Sequence, residues 1–235
     1  MKRRSWIRKM KNKINQDVIT NEDKIKICVK NVYKNFKEKE VLKDVSLEME
    51  SGHIYGIVGH NGSGKTVLFK CICGFYKCTK GEITVNDKVM GRDIDMLNNA
   101  GVIIEEPGFI RKWSGYNNLK FLYNINNRTD KEYLYSIMRK VGLEPESKTH
   151  VEKYSLGMRQ RLAIAQAIME DSYILILDEP MNGLDKNGIK LMRSIFQEMK
   201  EQGKLIILAS HNREDIDILC DEVYEMENGE LVKER

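Results

Sequence analysis

Residues 59–66 read GHNGSGKT and match the pattern G-x-x-x-x-G-K-[ST] at every fixed position. The motif constrains the fold because it requires a strand before it and a helix after it. Upstream, His53 to Val58 is a short apolar run with strand character; downstream, Val67 to Ile72 contains no helix breaker before Gly74. Gly59, Gly62 and Gly64 admit backbone dihedrals closed to other residues. The N–H groups of the loop, those of His60, Asn61 and Ser63 included, can then surround an anion at the positive end of the next helix. Lys65 is expected to reach the β- and γ-phosphates of a nucleotide, and the Thr66 hydroxyl to ligate Mg²⁺. A turn that only caps a helix would need neither side chain.

The rest of the chain supplies a setting for that loop. Alternation in Ile25-Lys26-Ile27-Cys28-Val29 and in Val45-Ser46-Leu47-Glu48-Met49 predicts two strands ahead of the loop strand, with a turn at Ser51-Gly52. Phe36 lies between them, flanked by Lys34, Lys37 and Lys39. A further strand is expected from Glu82 to Val85, so the N-terminal region reads as a β subdomain. From about Ser114 to Val141 the period becomes helical: Thr129 with Glu132 forms a capping-box sequence, Leu134, Ile137, Met138 and Val141 share a face, and Gly142 is a C-terminal stop. Another helix is expected from Tyr154-Ser155-Leu156-Gly157-Met158 to about Met169.

Tyr173 to Leu177 is a continuous apolar run ending in Asp178-Glu179-Pro180. A strand apolar on both faces belongs in a parallel sheet, whose C-terminal edge is where ligands bind. Asp178 can hold Mg²⁺ there while Glu179 deprotonates an attacking water. A helix with Leu191, Met192, Ile195, Phe196 and Met199 on one face stops at Gly203. Leu205 to Leu208 is then a second buried strand, and it delivers His211.

Composition narrows the class. Five cysteines with no C-x-x-C pair fit neither a disulfide framework nor a zinc site, and are read as reduced core thiols. No run of about 18 apolar residues occurs, and no signal peptide is evident, so a cytoplasmic protein is expected. Net charge is +4, but residues 1–16 hold seven Lys/Arg and no acid; the remainder has 32 Lys/Arg against 35 Asp/Glu, a balance of −3. The body therefore lacks the basic excess of a nucleic-acid binder. Residues 1–24 read as a basic extension, with Trp6, Ile7, Met10 and Ile14 in one quadrant of a helical wheel. That pattern fits contact with an anionic membrane surface and equally a solvated tail.

With these pieces in order, residues 25 to 232 resemble the nucleotide-binding domain of ABC transporters: GHNGSGKT, YSLGMRQRL, YILILDEP, NGLD and a final SH. YSLGM discriminates, because other phosphate-loop classes have no such helix start just before the acidic strand. The resemblance implies an α/β fold with a parallel-sheet phosphate-loop core, an N-terminal antiparallel β subdomain and an inserted helical subdomain at about 107–165. It also implies an ATPase that uses Mg²⁺, works as a head-to-tail dimer and drives a separate membrane-spanning permease from the cytoplasmic face. Ser155 and the Gly157 backbone would face ATP held by the second subunit. Phe36 takes the place of the aromatic that stacks on adenine, Asp185 that of the residue linking the two sites, and His211 that of the γ-phosphate switch.

Four positions depart from the family pattern. His60 stands where proline is commoner, Leu156 and Met158 replace glycine and glutamine, and Glu105 in GVIIEEPGF replaces the glutamine of the loop that senses Mg²⁺ and contacts the permease. That glutamate, with IIEEPGF and SLGM, is similar to the bacitracin and lantibiotic resistance branch and implies export or clearance of a peptide antibiotic or amphipathic substrate. The rival is a soluble ABC ATPase acting on ribosomes or DNA. Translation-factor members resemble two such domains in one chain, and chromosome-maintenance members carry long coiled coils; neither feature is present.

Overall fold

A computed structural model describes residues 24–235. The basic N-terminal segment, apart from Lys24, lies outside the described residues. Two sheets form. In the first, β1 (Lys26–Phe36), β2 (Lys39–Glu50), β4 (Lys80–Val85) and β5 (Lys88–Val89) run antiparallel in the order β2-β1-β4-β5. Ile27 pairs with Met49 and Val29 with Leu47, all four buried, while Lys26, Lys30, Glu48 and Glu50 face solvent. This is the period-2 pattern of a sheet with one wet face. A register shift between Val29 and Val32 keeps both valines on the buried face although they are three residues apart.

The second sheet has the order β10-β9-β3-β8-β7-β6. Its strands β3 (Ile54–Val58), β6 (Ala100–Ile103), β7 (Ile174–Asp178), β8 (Leu205–Ser210) and β9 (Glu222–Glu227) are parallel. β10 (Glu230–Lys233) returns antiparallel on β9 across the Asn228-Gly229 turn. Both faces are covered, which is why β7 is apolar up to Asp178 and β8 up to Ser210. Leu175, Leu177, Ile206 and Leu208 join one core, and Ile174, Ile176, Leu205 and Ile207 the other. All eight are no more than 1% exposed, and each contributes about 1.5–3 kcal/mol of transfer free energy.

Helices α1 (Lys65–Ile72), α2 (Gly115–Tyr123), α3 (Lys131–Lys140), α4 (Leu156–Ile168), α5 (Lys186–Glu201) and α6 (Arg213–Leu219) complete the fold. One start differs from the sequence expectation. Asp130, not Thr129, caps α3: its carboxylate accepts from the Tyr133 N–H at 3.0 Å, and Thr129 Oγ1 instead donates to Asn124 Oδ1 at 2.6 Å. Two capping residues stand side by side, and the carboxylate takes the position.

The cysteines also need a correction. All are free thiols; Cys71, Cys73 and Cys220 are buried, but Cys28 and Cys78 are half-exposed. Cys28 lies between buried Ile27 and Val29, so alternation turns it outward. Burial pushes Cys73 and Cys220 up to about 12. Cys78 is lowered, first by the hydrogen bond from the Cys71 thiol and further by Lys34, and Cys71 is raised in turn.

Candidate functional site

Register brings the site together. β3, β8 and β7 are neighbours, and Val58 lies opposite Ser210 while Ala209 lies opposite Asp178. Three strand ends therefore deliver the phosphate loop, His211 and the Asp178-Glu179 pair to one edge. α1 opens at Gly64, whose φ of +120° suits glycine. A Cβ there would meet Leu42 Cδ2 and Met226 Sδ at 3.1 Å. No side chain caps α1 and no acid stands in its first turn. Its N–H groups and the positive end of its dipole are available to an anion.

Lys65 is 5% exposed, and its ammonium donates to Gly59 O at 2.6 Å and His60 O at 3.1 Å. Thr66 Oγ1 donates to Asp178 Oδ2 at 2.6 Å. A hydroxyl and a carboxylate beside a phosphate-type loop form the hard-oxygen set that Mg²⁺ accepts, so these residues fit that ion.

Glu179 has a φ of +51°, uncommon for a residue with a side chain, and precedes Pro180. Its N–H donates to Ala209 O at 2.9 Å, and Gln160 of α4 donates to its carbonyl at 3.3 Å and to Pro180 O at 3.0 Å. The turn is thus held from two sides. His211 Nδ1 lies 2.9 Å from Glu179 Oε2, and the other oxygen, Oε1, is buried without a hydrogen-bond partner among the described residues.

A cleft of about 460 Å³ lies at this edge, within the size of a small-molecule site. Of the sequence-predicted residues it is lined by Asn61, Gly62, Gly64, Lys65, Thr66, Glu105, Asp178 and Glu179. Val41, Phe109, Arg159, Gln160 and Asn182 also line it and were not singled out from sequence. Gly59, His60 and Ser63 belong to the loop without lining the cleft. Glu105, with φ +63°, accepts from Lys70 Nζ at 2.6 Å, and this pairing raises the Lys70 pKa.

Five predicted residues stand apart from the cleft wall, and one of them, His211, meets it only through its contact with Glu179. Phe36, 40% exposed, meets Tyr76 edge to face at 5.2 Å, with Lys34 Nζ 4.8 Å from its ring. Ser155 is exposed and caps α4, its Oγ accepting from Met158 N at 3.2 Å. Asp185 is exposed and caps α5, accepting from Gly188 N at 2.9 Å. Gly157 sits where a Cβ would be 2.9 Å from Gly183 O, so the first turn of α4 lies against the NGLD loop.

Against known proteins, the ABC transporter family profile matches residues 42–182. This chain belongs to the ABC transporter family. As an ABC ATP-binding subunit it binds and hydrolyses ATP. It is 42% identical over 206 residues to the uncharacterised ABC transporter ATP-binding protein YybJ of Bacillus subtilis, covering 87% of this chain and 94% of that protein. It is 37% identical to the bacitracin transport ATP-binding protein BcrA of Enterococcus faecalis (88% of this chain, 68% of BcrA). With the lantibiotic transport ATP-binding protein SrtF of Streptococcus pyogenes the identity is 32% (88% and 89%). A solved ATP-binding subunit of an ABC transporter superposes with a TM-score of 0.79 at 25% identity, covering 88% of this chain and 89% of that one. Among the described residues, no helix of this ABC subunit is long and apolar enough to cross a membrane.

Proposed function

We propose that this ABC subunit works as a head-to-tail dimer beneath a separate membrane-spanning permease, at the cytoplasmic face, and powers export or clearance of a peptide antibiotic or amphipathic substrate. The observation that carries the hydrolytic part is the convergence of the phosphate loop and Asp178-Glu179 on one cleft, with His211 in contact with Glu179. Kinship with bacitracin and lantibiotic transport proteins supports the substrate class.

In this reading the loop N–H groups hold the phosphates, and Lys65 exchanges its two carbonyl partners for phosphate oxygens. Thr66, Asp178 and Glu105 would hold Mg²⁺, which when bound would offset charge developing on the transferred phosphoryl group. Glu179 accepts the proton of the attacking water, while His211 fixes Oε2 and meets the γ-phosphate. Phe36 stacks on adenine. Ser155 and Gly157 bind the ATP of the second subunit, and Asp185 links the two sites. Exposure of Ser155 and Asp185, and of apolar Leu156 at 49%, supports a partner surface there.

Expressing the subunit with a neighbouring multi-span protein in a bacitracin-sensitive host tests the assignment. Resistance that requires both proteins and is lost in Lys65→Ala supports it; no co-purification and no change in resistance to peptide antibiotics contradicts it. The basic segment is proposed to touch anionic lipid, each basic residue near the surface contributing about 1 kcal/mol. Vesicle sedimentation with residues 1–20 deleted tests that contact, and unchanged binding contradicts it.

A further inference from the structure

Lys70 follows Lys65 by five residues on α1, and its side chain is 16% exposed. Its ammonium is 2.6 Å from Glu105 Oε1 and 5.5 Å from the centroid of the Tyr76 ring. The pair spans 35 residues and ties the loop after β6 to the helix that carries the phosphate loop. Glu105 needs such a tie for two reasons. Its backbone is left-handed, a conformation that a residue with a side chain keeps only when its surroundings impose it. Glu105 also lines the same cleft as Thr66 and Asp178, where a triphosphate would face its carboxylate with like charge.

We propose that Lys70 is a positioning residue for Glu105, holding the carboxylate at the cleft rim and cancelling its charge toward the nucleotide. The inference rests on the cleft being the ATP site. It explains how a loop bearing an acid in place of an amide coexists with a bound triphosphate: the compensating cation is built into α1. Methionine at position 70 keeps the apolar stem and removes only the charge.

Wild type, Lys70→Met, Glu105→Gln and the double variant, each checked by thermal melt, are titrated with a fluorescent ATP analogue in EDTA at low salt. Saturable binding by wild type tests the cleft itself, independently of the comparison among variants. Lys70→Met should weaken binding about threefold to fivefold in the Glu105 chain, the scale of a partly exposed charge pair. In the Glu105→Gln chain the same change should cost less than about 1.5-fold, and Lys70→Arg should bind like wild type. The difference should shrink as salt screens it. Equal losses in both backgrounds would mean that Lys70 acts on the helix or on phosphate directly, and overturn the proposal. No loss in either background would overturn it too.

Discussion

His211 Nδ1 stands 2.9 Å from Glu179 Oε2, joining the residues that follow two adjacent parallel strands. The contact leaves Glu179 with one oxygen fixed and the other buried and unpartnered, which is the arrangement a general base needs: held in place, with a free lone pair.

His211→Ala should therefore remove orientation without removing the base. Hydrolysis is expected to fall by about 10² while ATP affinity falls less, by about tenfold for the lost γ-phosphate contact. Steady-state turnover and equilibrium binding, measured side by side, check this; a kcat within threefold of wild type would show that the contact is incidental.

Ser155 acting across a dimer gives a complementation test. Mixing Lys65→Ala chains with Ser155→Arg chains creates heterodimers with one doubly damaged site and one intact site. Random pairing then restores about a quarter of the wild-type sites, because half the dimers are mixed and each has one good site. The two substitutions on one chain should restore nothing. If cross-linking proves that heterodimers form and activity still equals that of either variant alone, the head-to-tail arrangement is wrong.

Thiol chemistry should follow the environments of the five cysteines. Cys78 is half-exposed and its pKa is lowered by the Cys71 thiol and Lys34, so it carries the largest thiolate fraction at neutral pH. Iodoacetamide at pH 7 should label Cys78 first, with Cys73 and Cys220 untouched until the chain unfolds, since burial pushes both up to about 12. Peptide mass mapping over time reads the order, and early labelling of Cys73 or Cys220 would contradict the packing.

Local patterns made much of this legible in the sequence. The phosphate loop, the apolar runs of β7 and β8 and the acids at the end of β7 each announce themselves within eight residues. Other features were hidden for physical reasons. β9 carries Glu222, Glu225 and Glu227 among its apolar residues, and α6 spans only seven residues, so neither shows a clear period. The Lys70–Glu105 pair and the Gln160 brace on Glu179 and Pro180 join residues 35, 19 and 20 positions apart, and no spacing rule reaches that far. Adjacent Thr129 and Asp130 are both good caps, and only the folded backbone chooses between them.

On the proposed reading, Glu179 activates the water that cleaves ATP in this cleft. Glu179→Gln preserves shape and hydrogen-bonding capacity but cannot take a proton. Turnover by the purified variant is measured beside ATP binding and size-exclusion elution in ATP. Hydrolysis is expected to fall by about 10² or more, with ATP affinity retained and an ATP-dependent dimer accumulating; turnover near that of wild type would mean that another group activates the water.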